Sequence, residues 1–235
     1  MTTVGLVGGL GPESTIDYYR RILAAWDRVD PSSMPSIVID SLDVQRGLKL
    51  AAGERQPFVD YLLGSIRRLE GAGCDFIAMT ANTAHLVFDE LAAQARVPLL
   101  SIVEVCADEA RRRDFRRPLL LGTRFTMQSS FYPEVFAKHG MTVIAPTEAE
   151  RLWLHERYVG QLLKGDFRDD TRSDVVALVE RIHERDGVDG VILGGTELPL
   201  LLKAETVAGL QTLDTTALHV AAIVDRLRRE TPRTT

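Results

Sequence analysis

Short apolar runs alternate along this chain with longer segments in which apolar residues recur every three or four positions. Five runs are mostly apolar and end at glycine or polar residues: residues 4–7, 36–40, 75–79, 118–123 and 189–193. Residues 58–69 and 217–229 instead carry leucine, isoleucine or valine at helical spacing. Buried strands that alternate with helices are typical of a parallel sheet covered by helices. The pattern therefore predicts an α/β protein.

Two of the predicted strands lead directly into polar or glycine-rich turns. The first strand enters residues 8–12 (Gly-Gly-Leu-Gly-Pro), and a helix is predicted from Glu13 onwards. The strand at residues 75–79 leads into residues 80–83 (Thr-Ala-Asn-Thr), and a helix is predicted over residues 85–95. Parallel sheets bind ligands at the carboxyl ends of their strands. Both turns are therefore candidate parts of a site.

The second half of the chain repeats the plan of the first half. Gly8 and Gly122 begin equivalent turns 114 positions apart, and Asp75 and Asp189 precede equivalent strands at the same separation. Two equal separations predict two similar α/β lobes that arose by duplication. We expect the first lobe to comprise residues 1–97 with a C-terminal helix at about 209–230, and the second to comprise residues 98–208. A cleft between such lobes is the expected ligand site.

Composition and charge exclude several classes of protein. The 235 residues are 45% hydrophobic, which is too many for a disordered chain, and no apolar run approaches the roughly 18 residues of a membrane span. The formal net charge of −5 argues against a nucleic-acid partner. Cys74 and Cys106 cannot form a disulfide framework, the start of the chain has no charged leader, and no cysteine or histidine spacing matches a metal site. We expect a cytoplasmic protein with a small-molecule ligand.

The glycine turn at residues 8–12 is a weak match to a nucleotide-binding loop. Ser14 stands where the dinucleotide fingerprint has glycine or alanine, and Pro12 removes one amide donor. Two other interpretations stay open. The glycines either only permit a sharp turn, or the turn, with Gly9, forms the floor of a small-carboxylate site.

The two lobes carry matched polar residues after equivalent strands. Asn82 and Thr83 follow one buried strand, and Thr196 and Glu197 follow the other. Free backbone amides at a helix start favour a carboxylate, so the pair predicts a carboxylate site. The alternative is that these side chains only cap the helices that follow.

Five ordered motifs together resemble the cofactor-independent aspartate/glutamate racemase family. The motifs are residues 4–15 (VGLVGGLGPEST), 82–85 (NTAH), 121–127 (LGTRFTM), 194–199 (GGTELP) and 214–216 (DTT). The resemblance implies two pseudo-symmetric α/β lobes with an active site between them, and a small amino-dicarboxylic acid as substrate. It also implies that no pyridoxal phosphate or other cofactor takes part, and that the protein is a homodimer.

The chain departs from the family at the two positions that carry the chemistry. In the family, a cysteine precedes the Asn-Thr motif and another precedes the Thr-Glu motif, and the two thiols exchange the α-proton on opposite faces. Here these positions hold Ala81 and Gly195, which cannot transfer a proton. Cys74 and Cys106 lie elsewhere in the predicted elements and are expected to be small buried residues.

The resemblance also implies which residues hold the substrate. The implied binding residues are Gly9, Asn82, Thr83, Thr123, Thr126 and Thr196, with Arg46 and Lys164 as cationic partners for the distal carboxylate. The alternative for Arg46 and Lys164 is a solvated surface charge. The candidate catalytic residues are Thr83, Thr196, Glu197 and His85, of which Glu197 and His85 are the acid–base groups nearest to the missing thiols.

Three hypotheses follow from these residues. The chain is an enzyme that uses the racemase fold for another reaction on a small carboxylic acid, such as that of a lyase, decarboxylase, cyclase or isomerase. Alternatively, it binds an amino acid without turnover. In the third hypothesis it is a cysteine-substituted variant of an amino-acid racemase.

Overall fold

A computed structural model describes residues 2–230 of the chain and confirms the α/β class. The chain divides into two compact units. Unit 1 contains residues up to 102 together with the last helix from residue 216, and unit 2 contains residues 103–215. Each unit is built around a parallel or mostly parallel sheet of four strands.

Unit 1 alternates strands with helices in the predicted way. Its elements are β1 (Thr3–Gly8), α1 (Pro12–Asp27), β2 (Ser36–Ser41), α2 (Val44–Ala51), α3 (Arg55–Gly71), β3 (Phe76–Met79), a 3-10 helix (Asn82–Val87), α4 (Phe88–Ala92) and β4 (Leu99–Leu100). The four strands are parallel in the order β2-β1-β3-β4.

Both faces of the unit 1 sheet bury apolar side chains. On one face, Leu62 and Ile66 of α3 pack in a cluster with Ile77 of β3. On the other face, Ile22 of α1 packs in a second cluster with Ile223. The near-continuous apolar strands are explained by this burial on two sides.

Unit 2 repeats the alternation with additional short helices. Its elements are α5 (Ile102–Arg112), β5 (Pro118–Leu121), α6 (Arg124–Gln128), α7 (Phe131–Ala137), α8 (Glu148–Gly160), a 3-10 helix (Leu162–Lys164), α9 (Asp169–Asp186), β6 (Gly190–Leu193), α10 (Leu198–Leu202), β7 (Thr206–Val207) and β8 (Leu210–Asp214), before α11 (Thr215–Glu230). The strand order is β5-β6-β8-β7, and β7 is antiparallel to β8.

The internal pairing of the two units supports duplication. Val4 pairs with Phe76 in unit 1, and the residues 114 positions later, Pro118 and Gly190, pair in unit 2. The side chain of Asp75 accepts a hydrogen bond from the Thr3 amide. Asp189 accepts one from the Arg117 amide at the same separation. Pairing register and the carboxylate that fixes it are thus both repeated.

The predicted helix over residues 85–95 was wrong in its type and limits. The chain forms the 3-10 helix Asn82–Val87 and then α4 (Phe88–Ala92). The ring of His85 contacts the carbonyl of Ala81 through Nδ1 at 3.3 Å. That carbonyl is the one an α-helix would pair with the His85 amide, so the side chain competes with the helical hydrogen bond.

The limits of the two units differ from those expected by a few residues. Contacts divide the chain after residue 102 and again after residue 215, whereas the sequence placed the limits after residues 97 and 208. Strand β8 accounts for the second difference, because its Asp214 pairs with Leu193 of β6 inside unit 2.

None of the helices within residues 2–230 is long and apolar enough to cross a membrane. In the same part of the chain, no three His, Cys, Asp or Glu side chains form a group that could hold a metal ion.

Candidate functional site

The glycine turn after β1 is held by one buried threonine. Thr15, in the first turn of α1, accepts a hydrogen bond from the Gly9 amide at 2.9 Å and donates one to the Gly11 carbonyl at 3.0 Å. Its hydroxyl also lies 3.2 Å from that of Thr80, which follows β3. The turn is therefore fixed to the ends of two neighbouring strands.

Gly9 has a conformation that only glycine adopts without strain. Its φ is +81°, and a β-carbon there would lie 2.4 Å from the backbone nitrogen of Leu42. Because the Gly9 amide donates to Thr15, that donor is used within the turn. The structure thus gives Gly9 a part in shaping the turn.

The end of β3 carries the first of the two positions that lack a thiol. Ala81 is extended, with φ −145° and ψ 132°, and precedes the 3-10 helix without capping it through a side chain. Asn82 is buried, with 3% of its surface exposed, and Thr83 is partly exposed. Since Ala81 stands at the cap position, neither polar residue is the helix cap that the alternative interpretation required.

His85 is buried and bonded to the backbone through both ring nitrogens. Its Nε2 accepts a hydrogen bond from the Ile102 amide at 3.2 Å, so Nδ1 carries the proton and donates to the Ala81 carbonyl at 3.3 Å. Burial lowers the pKa of His85 to about 4. A neutral ring with both nitrogens in use is suited to holding the backbone around Ala81.

Arg46 lies exposed on α2. Its guanidinium carbon is 4.9 Å from the centroid of the Tyr61 ring. The Tyr61 hydroxyl in turn accepts a hydrogen bond from the Asp43 amide, which ties the start of α2 to α3. Arg46 is thus oriented by stacking on an aromatic ring.

The end of β5 in unit 2 places two threonines together. Thr123 caps α6 by accepting a hydrogen bond from the Thr126 amide at 3.3 Å, and the two hydroxyls are 3.2 Å apart. A β-carbon on Gly122 would lie 2.6 Å from the Gly194 carbonyl. Glycine at this position allows the ends of β5 and β6 to approach closely.

Gly195, the second position that lacks a thiol, faces the ring of Tyr158. A β-carbon on Gly195 would lie 2.5 Å from both Cε2 and the hydroxyl oxygen of Tyr158, and 2.8 Å from Cζ. Real side chains do not tolerate such distances. The aromatic ring therefore occupies the space into which a side chain at residue 195 would extend.

Tyr158 and Glu197 form a buried hydrogen-bonded pair. Each has 2% of its surface exposed. The Tyr158 hydroxyl donates to Glu197 Oε2 and accepts from the Glu197 amide at 3.2 Å, and Thr196 donates to the same carboxylate oxygen at 3.4 Å. Burial, followed by the charge of Glu197, raises the pKa of Tyr158 well above its usual value. The phenol therefore keeps its proton and orients the carboxylate.

The remaining predicted residues are placed as follows. Thr196 is buried but does not cap α10, because the cap position is Glu197. Lys164 is exposed at the end of the 3-10 helix Leu162–Lys164. Cys74 and Cys106 are buried free thiols whose pKa values are raised by that burial.

The sequence alone did not indicate Tyr158, and it indicated Thr15 and Thr80 only as members of the motif at residues 4–15 and the turn at residues 80–83. Tyr158 lies 37 positions before Gly195 on a helix whose pattern is that of any packed helix. Thr15 belongs to the motif at residues 4–15. Its position in the first turn of a helix that follows a glycine turn is the one feature of the sequence that could have indicated its hydrogen bonds to that turn.

Comparison with known proteins gives consistent results. Residues 7–223 match the family model described as Asp/Glu/Hydantoin racemase. The chain is 30% identical over 208 residues to the broad specificity amino-acid racemase RacX of Bacillus subtilis, covering 85% of this chain and 87% of that one. It is 32% identical to an aspartate racemase homologue from Pyrococcus horikoshii, with a TM-score of 0.80 over 97% of this chain and 100% of the other. Picrophilus torridus aspartate racemase shares the fold, at 22% identity and a TM-score of 0.77 over 97% of this chain and 95% of that one.

Proposed function

Since the chain belongs to the Asp/Glu/hydantoin racemase family, we propose that it acts on a small amino-dicarboxylic or related carboxylic acid by one-sided proton transfer rather than by two-thiol racemisation. The observation that supports this proposal is the hydrogen-bonded pair of Tyr158 and Glu197 in the space beside Gly195. The match to an amino-acid racemase of broad specificity supports an amino acid or a close relative as the ligand.

The proposed acid–base group is Glu197. Its carboxylate accepts hydrogen bonds from Tyr158 and Thr196, which hold it in one orientation. A carboxylate so oriented can remove a proton from a substrate or return one to it. Tyr158 acts here as a positioning residue, because its pKa is raised and it stays protonated.

Ala81 of unit 1 has no titratable side chain that could act as an equivalent group. His85, whose ring contacts the Ala81 carbonyl, is neutral and uses both nitrogens on backbone atoms. Racemisation needs proton transfer on both faces of the α-carbon. A decarboxylation, elimination or tautomerisation that needs a single proton relay suits the arrangement better.

Binding without turnover is the second candidate, and the burial of Tyr158 and Glu197 favours it. Two side chains that satisfy each other are typical of a structural pair as well as of a relay. In that case Thr123, Thr126 and Thr196 of unit 2 hold an acid that is never altered.

Incubation with amino dicarboxylates, hydroxy acids and keto acids in D2O, followed by proton NMR and chiral chromatography, tests the proposal. We expect one acid to be consumed or to gain deuterium without racemisation. Glu197→Gln should lower that rate by about 10² to 10⁴-fold. Tyr132→Phe, which alters another buried tyrosine of unit 2, is the matched control.

Rapid racemisation of aspartate or glutamate by the wild type, or full activity in Glu197→Gln, would contradict the proposed function. Binding of an acid without any change to it would select the second candidate.

The family also supports a homodimer, and two free buried thiols suit the reducing cytoplasm. Light scattering coupled to size-exclusion chromatography tests the first point, and cell fractionation the second.

A further inference from the structure

Helix α8 places two side chains over the ends of neighbouring strands in unit 2. His155 and Tyr158 are three residues apart and share one face of the helix. Tyr158 reaches the end of β6 at Gly195, as described above. His155 reaches the end of β5, where its Nδ1 accepts a hydrogen bond from the Arg124 amide at 3.3 Å. Arg124 therefore follows β5, the strand that pairs with β6, and the proposed acid–base pair lies at the end of β6.

Arg124 is a cation to which the described part of the chain supplies no counterion. Its guanidinium carbon lies 5.0 Å from the centroid of the Phe125 ring, and its Nε is buried with no hydrogen-bond partner among the described residues. Within residues 2–230, no Asp or Glu side chain forms an ion pair with it. A buried guanidinium nitrogen without a partner is unfavourable, and a ligand oxygen would relieve that cost. This residue differs in that respect from the exposed Arg46 and Lys164.

His155 is held where the charge of Arg124 affects its pKa. Its ring packs edge-on against Phe125, with centroids 5.6 Å apart. Burial, followed by the positive charge of Arg124, lowers the pKa of His155, while Glu156 raises it. Neutralisation of the guanidinium by a bound anion would therefore raise the pKa of His155.

We propose that Arg124 binds a carboxylate group of the ligand and so determines the preference of this protein for acids. This assignment rests on the proposed function, since it names the residue that recognises the acid. The guanidinium offers a planar set of donors that matches a carboxylate, and stacking on Phe125 fixes its plane.

Titration of the His155 ring by NMR, with and without succinate, tests the assignment directly. The His155→Gln variant assigns the resonance. In the wild type the pKa of His155 should rise when succinate is bound, and in Arg124→Gln it should not respond. Calorimetry should show a ten- to hundredfold loss of succinate affinity in Arg124→Gln, with part of the affinity kept in Arg124→Lys.

Arg157→Gln is the matched control, because Arg157 lies on the same helix and stacks on Trp153 at 4.3 Å. It should leave both measurements unchanged. The assignment fails and the proposed function stands if succinate and L-aspartate bind the wild type without changing the pKa of His155, and if Arg124→Gln binds succinate as tightly as the wild type does. If neither acid binds the wild type, both fail.

Discussion

Substitution of Gly195 by alanine tests whether Tyr158 occupies the space beside it. The added methyl group would lie 2.5 Å from Cε2 and from the hydroxyl oxygen of Tyr158, about 1 Å closer than ordinary contact. Tyr158 cannot swing away freely, because it is buried and bonded to Glu197. Overpacking of this kind costs about 1–3 kcal/mol, and we expect Gly195→Ala to lower the free energy of unfolding by that amount.

A double-mutant cycle separates this steric clash from other effects of the substitution. Tyr158→Ala alone should destabilise by about 3–5 kcal/mol, since it leaves a cavity and removes a hydrogen bond to Glu197. With the ring gone, the methyl group of Gly195→Ala meets no clash with it. We therefore expect the two changes to be non-additive, with a favourable coupling of about 1–3 kcal/mol.

Urea denaturation followed by circular dichroism measures the free energy of unfolding of the wild type, the two single variants and the double variant. Gly160→Ala is the matched control, because Gly160 ends the helix that carries Tyr158 and a β-carbon there meets nothing within 4 Å. It should change stability by less than about 1 kcal/mol. If Gly195→Ala costs no more than this control, or costs the same with and without the Tyr158 ring, the steric argument for glycine at position 195 is refuted.

Three further predictions concern buried polar groups. Burial lowers the pKa of His85 to about 4 and that of His219 to about 3, so the unfolded chain binds protons that the folded chain does not. The contribution of these two groups to stability should be complete above pH 6.5 and fall as the pH drops towards 4, and His85 should account for a loss of about 3 kcal/mol. Urea denaturation across that pH range should show a shallower decline of stability for His85→Asn. Cys74 and Cys106 should react with a thiol reagent such as DTNB only after unfolding, and a fast reaction in the native state would contradict their burial. Thr15→Val should destabilise by about 1–3 kcal/mol in urea denaturation because it leaves the Gly9 amide unpaired, and an unchanged midpoint would argue against that hydrogen bond.

Much of the fold follows from short-range patterns. Apolar runs such as residues 76–79 are buried strands because a strand covered on both faces has no polar side to show. The equal separations of the glycine turns and of Asp75 and Asp189 anticipated a repeated strand register. The type of the helix after β3 was not predictable in this way, because it depends on where the His85 side chain bonds.

The candidate site, like the fold, was predictable from the sequence only in part. The sequence by itself identified the family, the two strand ends that carry polar residues, and the absence of a thiol at Ala81 and Gly195. Only the tertiary structure showed that Tyr158 fills the space beside Gly195 and that the buried Nε of Arg124 has no hydrogen-bond partner within residues 2–230. Periodicity and motifs report interactions among residues a few positions apart, whereas the partner of a buried side chain is decided by how distant elements pack.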